Sequence, residues 1–182
     1  HSWAGGYADN DDGNNQEAGG ESLFGWVGMY LWAIRSGNKD FRDASIFGFT
    51  TELNDIEQYW FNYDKDNWPE DYKHHIVGQN YGATIFFGTF FDGNVVSIYG
   101  IHWLPVTEWI THYSMGENKA KLKDMYDYFL KEIDAQREIE ANLPNGSPQL
   151  VKTPLTNWQH LFVPLKSQFD PDGALDDYWQ VV

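Results

Sequence analysis

The chain has 182 residues, and its 42% hydrophobic content is enough to bury a core within one domain, which excludes a disordered tail. A formal net charge of −15 with only 12 Lys and Arg argues against nucleic acid and an anionic membrane as partners, since both need clustered cations. The absence of cysteine removes disulfides, thiolate nucleophiles and Cys-ligated zinc, while 18% aromatic content exceeds what core filling requires and predicts rings lining a groove, where flat faces suit sugars.

The first stretch, His1 to Gln16, is rich in Gly, Asp and Asn and reads as an ordered loop feeding a helix. The chain starts without Met and without a signal peptide, so a processed, truncated or partial gene product is expected. From Glu17 to Ile34 there is no positive charge and hardly any polar face, the pattern of a helix buried all round. Its longest apolar run, Leu23 to Ile34, is too short to span a bilayer. Arg35, Gly37 and Asn38 supply a C-terminal stop, after which Lys39 to Tyr63 reads as a second helix with an apolar stripe of Ile46, Phe49, Leu53, Ile56 and Trp60.

An Asn/Asp/Pro-rich connection, Asn62 to Glu70, precedes a β-rich segment. There Ile85 to Phe87 and Val95 to Ile98 are predicted to pair as a hairpin across Asp92-Gly93-Asn94. Beyond Pro105 the pattern is helical again, with Leu122, Met125, Tyr126, Phe129 and Ile133 forming a stripe from about Glu117 to Asn142. A Pro-containing linker, Leu143 to Pro154, leads to a last apolar piece through Trp158, Leu161, Phe162 and Leu165.

The chemistry concentrates in Asp12-Gly13-Asn14-Asn15-Gln16-Glu17-Ala18-Gly19-Gly20-Glu21. A helix starting here places Glu17 and Glu21 on one face, one turn apart, where like charges repel and push their pKa values apart so that one can act as a base. Gly19 and Gly20 each cost about 1 kcal/mol in a helix relative to Ala, and leave room above the backbone for a ligand. Spacing alone equally allows two ordinary first-turn acids favoured by the helix dipole, with Asn14 or Asn15 as cap. A calcium loop fails on register, because with Gly13 in sixth place the twelfth position is Gly19. Asp170-Pro171-Asp172-Gly173 has its glycine too early for the same loop, and adjacent His74 and His75 do not make a metal site, so no metal or other cofactor is expected.

His1-Ser2-Trp3-Ala4-Gly5-Gly6 and Asp12 to Glu17 followed by Glu21 closely resemble the signature of glycoside hydrolase family 81, the endo-β-1,3-glucanases. Leu31-Trp32-Ala33-Ile34 through Gly37-Asn38-Lys39 and Arg42-Asp43 resembles that family's next helix pair, and Tyr99-Gly100-Ile101-His102-Trp103-Leu104-Pro105 its later Gly-Ile-x-x-Leu-Pro stretch. The similarity runs from His1 to about Tyr113, with Ala18-Gly19-Gly20 standing where small hydroxyl residues are frequent.

The resemblance implies a mainly α fold, part of an (α/α)6 toroid with an inserted β-hairpin, in which residues 1–182 are part of one catalytic domain. The upstream part of the toroid, with the Asp general acid, and an amino-terminal β-sandwich would lie outside the chain. It implies endo-hydrolysis of internal β-1,3 bonds with inversion, Glu17 acting as general base and Glu21 as its close partner. Substrate contacts are expected from His1, Trp3, Asn15, Gln16, Tyr81, His102 and Trp103. The implied partners are β-1,3-glucan and the remainder of the catalytic domain, and the implied location is extracellular or at the cell wall. A non-catalytic β-glucan-binding fragment and a helical interaction module remain the alternatives.

Overall fold

The structure, a computed structural model, describes residues 15–81, 84–91, 93–113, 118–143 and 158–180. Among these it is mainly helical, with a three-stranded antiparallel sheet at one end. Strand β1 (Asn15–Gln16) pairs with β2 (Gln79–Tyr81), which pairs with β3 (Thr84–Phe86), in a register that sets Asn15 opposite Tyr81 and Asn80 opposite Ile85.

Helix α1 (Gly19–Ser36) ends where Gly37 takes φ 70°, a left-handed conformation open to glycine, and returns its N–H to the carbonyls of Ala33 and Ile34. Asn38 then caps α2 (Lys39–Asp55), its side chain accepting from the Phe41 amide at 3.1 Å. The two helices form a tight antiparallel pair, in which the Trp26 ring lies where a side chain at Gly48 would be. A π-helical turn, Ile56–Trp60, continues α2 and turns Ile56 and Trp60 into the core. Glu57 within it accepts from His112 at 2.7 Å and meets Lys121 at 3.5 Å, tying the turn to two later helices.

Those are α4 (Val106–Tyr113) and α5 (Asn118–Ala141); before them runs α3 (Val95–Trp103), buried along nearly its whole surface. The expected second arm of the hairpin is therefore helix α3, and the hairpin is closed instead by β2. A short apolar run has no period that separates a buried strand from a buried helix. Here the helical start is fixed by Asn94, whose side chain accepts from the Val96 amide, and by Gln136 of α5, which accepts from the Val95 amide, both at 2.9 Å.

The core is largely aromatic. Trp103, Tyr99, Phe129 and Phe162 interlock between α3, α5 and α6 (Gln159–Lys166), Phe129 and Phe162 stacking at 4.5 Å. A further helix, α7 (Pro171–Trp179), begins at the acidic run weighed as a calcium loop. Asp170 caps it by accepting from Gly173, with Pro171 in the first turn, a start signal legible in hindsight.

Two expectations for α1 need correction. It is not buried all round: Leu23 and Ala33 are buried, but Phe24, Leu31, Trp32 and Ile34 are more than half exposed, because among the described residues its main packing partners are α2, α3 and α4. Nor do Gly19 and Gly20 leave room for a ligand. Ile56 fills the space over Gly19, and the Leu104 carbonyl and Trp109 indole fill that over Gly20, at the cis Leu104-Pro105 bond.

Gly25, on the same helix, faces open space. Gly20→Ala should therefore lower the free energy of unfolding by about 1–3 kcal/mol through overpacking, whereas Gly25→Ala should raise it by about 0.4–1 kcal/mol through the unfolded chain. Urea denaturation of the two variants checks this, and equal effects would contradict the packing described.

Candidate active site

Glu17 lies between β1 and α1 and not on the helix, so it does not share a helical face with Glu21. The reversal comes from Ala18, whose φ of 62° is left-handed, a conformation that costs a non-glycine residue about 1–2 kcal/mol. Strain of this kind at a strand-to-helix corner turns the Glu17 side chain away from the α1 register and into the protein, where the residue is 2% exposed. Glu21, in the first turn of α1, is exposed.

The amide of Phe90 and the side chain of Gln79 hydrogen-bond to the Glu17 carboxylate, and Oε2 has no partner among the described residues. Burial raises its pKa above the ordinary carboxylate value. The two hydrogen bonds oppose the shift without cancelling it, and the charge of Glu21 adds to it. A carboxylate so held remains basic enough to take a proton, and its unpaired oxygen marks where a donor would sit.

The elements carrying this site are joined through His102, which is fully buried. Its Nδ1 accepts from the Gly19 amide at 3.3 Å, and its Nε2 lies 3.1 Å from the Gly78 carbonyl, to which it donates. The ring thus bridges the first residue of α1 and the residue preceding Gln79. Burial drives its pKa down to about 4, against the pull of the Gly78 and Val77 carbonyls, so it is neutral at pH 7. The Trp109 indole N–H donates to the His102 carbonyl at 2.8 Å, fixing α4 to α3, and Ser22 donates to Glu52 at 2.7 Å, fixing α1 to α2.

The residues expected to contact substrate fall in different places. Asn15 and Tyr81 are paired in register across the backbones of β1 and β2, and Gln16, half-buried, precedes Glu17. His102 and Trp103 present no surface: the first is the bridge just described, the second lies in the core against Tyr99 and Phe162. His1 and Trp3 lie outside the described residues. Gln79 and the Phe90 amide were not anticipated, since no local spacing connects them to Glu17; the only trace is Gly78 and Gly88, which approach so closely that a side chain on Gly78 would overlap the Gly88 carbonyl. His74 and His75 diverge, the first against Phe87 and Glu132 and the second against Tyr128.

Residues 1–140 match the family described as the glycosyl hydrolase family 81 C-terminal domain. Over 132 residues, 72% of this chain, the sequence is 33% identical to a glucan endo-1,3-β-D-glucosidase of Acetivibrio thermocellus, of which it covers 17%. It is 26% identical over 183 residues to a second such enzyme from Thermobifida fusca, covering 99% of this chain and 22% of that protein. A primary septum glucan endo-1,3-β-D-glucosidase of Schizosaccharomyces pombe is 30% identical over 82% of this chain, which covers 15% of it. The solved structure of a mutant family 81 glycoside hydrolase from Clostridium thermocellum superposes with a TM-score of 0.74 at 26% identity, over 97% of this chain and 22% of that one. The chain thus spans about a fifth of the length of the relatives it matches.

The His102 bridge makes a measurable demand on stability. His102→Phe preserves a ring but leaves the Gly19 amide and Gly78 carbonyl buried without a partner, at a cost of about 2–4 kcal/mol at pH 7. The folded pKa is lowered from 6.5 to about 4, so the stabilisation is present above the unfolded value and lost as pH falls through that window, when the unfolded state takes up the proton first. The difference between wild type and variant should therefore shrink from pH 7 to pH 4, with a slope approaching about 1.4 kcal/mol per pH unit. Denaturant midpoints across this range check it; a constant difference would contradict a buried neutral imidazole.

Proposed function

The chain belongs to glycosyl hydrolase family 81, and from that premise we propose that it supplies the general base of an endo-β-1,3-glucanase. The observation that carries the reading is the buried carboxylate of Glu17, raised in pKa and held by two hydrogen bonds while Oε2 is buried without a partner among the described residues. In the proposed reaction Glu17 accepts a proton from water as the water oxygen bonds to the anomeric carbon. The glycosidic bond breaks on the opposite face, and the departing sugar oxygen takes a proton from an acid outside the described residues. Inversion follows from a base that works through water, since acid and base must stand about 6.5–9.5 Å apart to admit it. Glu21 acts as electrostatic partner, keeping Glu17 basic. A non-catalytic glucan-binding fragment has no use for a buried carboxylate that costs stability, and a helical interaction module has no use for its unpaired oxygen.

The exposed face of the α1–α2 pair, which includes Phe24, Leu31, Trp32, Ile34 and Phe47, bears on domain organisation. Such an apolar area is unusual on an independent domain, and we take it as the surface that meets the remainder of a toroidal catalytic domain. From its membership of a family of β-1,3-glucanases we take the whole enzyme to act outside the cell or at the cell wall. Among the described residues no helix is long and apolar enough to cross a membrane.

Glu17→Gln in the intact enzyme should lower turnover on laminarin by at least about 10²-fold, the usual scale of general-base catalysis. It should also raise thermal stability at neutral pH, because the folded pKa is raised: the cost of burying the charge is full at high pH and absent below the ordinary carboxylate range. Retention of a tenth of wild-type turnover would remove Glu17 from the role. Glu21→Gln takes away a charge that raises the Glu17 pKa, so the acidic limb of kcat/KM should move to lower pH; a limb that stays or moves up would contradict the coupling. Proton NMR of fresh products should show the α-anomer first, and β-anomer first would rule out inversion.

A further inference from the structure

Phe90, whose amide hydrogen-bonds to the Glu17 carboxylate, and Phe91 directly after it carry exposed side chains. They are 66% and 50% exposed, whereas Gly88 and Thr89 just before them are buried. The backbone here is anchored twice, by the close approach of Gly88 to Gly78 and by the Phe90 amide on the Glu17 carboxylate. The two rings are exposed among the described residues, 5.2 Å apart and at 83° to one another. Exposed aromatic rings on an anchored loop next to a buried polar group are the mark of a binding surface.

The chemistry of the pair selects its ligand. A carboxylate next to the rings disfavours anions, and a wholly apolar ligand would leave Glu17 without a polar partner. A neutral pyranose satisfies both, with C–H faces for the rings and hydroxyls for the rim. Two rings nearly at right angles cannot both lie under a flat ribbon such as a β-1,4-glucan. They suit a chain that bends at each linkage, as β-1,3-linked glucose does.

We propose that Phe90 and Phe91 form a stacking corner that seats consecutive sugars of the glucan against Glu17, an inference that rests on the reading of Glu17 as base. Phe90 then has two parts with separate duties: its amide orients the carboxylate and its ring positions the sugar.

The test uses the intact enzyme carrying Glu17→Gln, so that laminarihexaose binds without being cleaved, and titration calorimetry as the readout. Phe90→Ala and Phe91→Ala should each weaken binding by about two- to tenfold, and Phe90→Trp should restore it. With Glu17 present, the alanine variants should raise KM more than they lower kcat. The acidic limb should stay in place, because alanine keeps the amide. Unchanged affinity together with a lowered melting temperature would show the rings to be packing surface for another part of the enzyme, and would overturn the corner while leaving the base reading intact. Full turnover by Glu17→Gln alone would overturn both, since the corner would then face no base.

Discussion

His102 ties the head of α1 to the segment just ahead of β2, reinforcing from the core side the pairing of β1 with β2. Its Nδ1 takes the Gly19 amide at the head of α1, and its Nε2 gives to Gly78 just ahead of β2. A residue close to each anchor then matters chemically: Gln79 follows Gly78 and bonds to Glu17, and Glu17 lies two residues ahead of Gly19. The bridge works only with a neutral ring, which can accept at one nitrogen and donate at the other. Burial among Trp60, Phe61 and Trp109 keeps it neutral, so the aromatic core serves the site by excluding water from an imidazole.

The same region carries several features that lower stability. Ala18 is left-handed, Glu17 is a buried acid with an unpaired oxygen, and Gly19 and Gly20 weaken the first turn of α1. Each has a geometric consequence. Ala18 turns Glu17 off the helix, and Gly20 allows α1 to lie against the Leu104 carbonyl, next to the segment that supplies His102. Strain gathered at one corner, while the α3–α5–α6 core is tightly interlocked, is the distribution expected of a site supported by a rigid scaffold.

Local chemistry was legible in the sequence. Gly37 and Asn38 end one helix and cap the next because their preferences need no distant partner, and the stripe of α5 follows from its period alone. Glu17 stood out through its motif, but its setting did not. The four-residue spacing to Glu21 pointed to a shared helical face, and one left-handed residue breaks that register. The strand expected at Val95 to Ile98 failed for a different reason, because burial on all sides erases the pattern that separates helix from strand. Likewise His102 and Trp103, polar-edged residues in a motif, looked like ligand contacts, and only tertiary packing shows them to be interior, His102 against Gly19, Gly78, Trp60 and Phe61 and Trp103 against α5 and α6. Gln79 and Phe90 reach Glu17 through tertiary folding, for which sequence offers no spacing rule.

The state of the Glu17 carboxyl group is the point on which the chemistry turns, and it can be observed directly. Difference infrared spectra of the intact enzyme against Glu17→Gln, recorded across a pH series, isolate the protonated and ionised bands of this one side chain. The proposed base, buried with Oε2 unpaired among the described residues, should titrate above the ordinary carboxylate range, in line with the desolvation that dominates its surroundings. Titration at or below the range of an exposed glutamate would mean that water or a cation reaches the group, and Glu17 would then be a surface acid with no claim to the base.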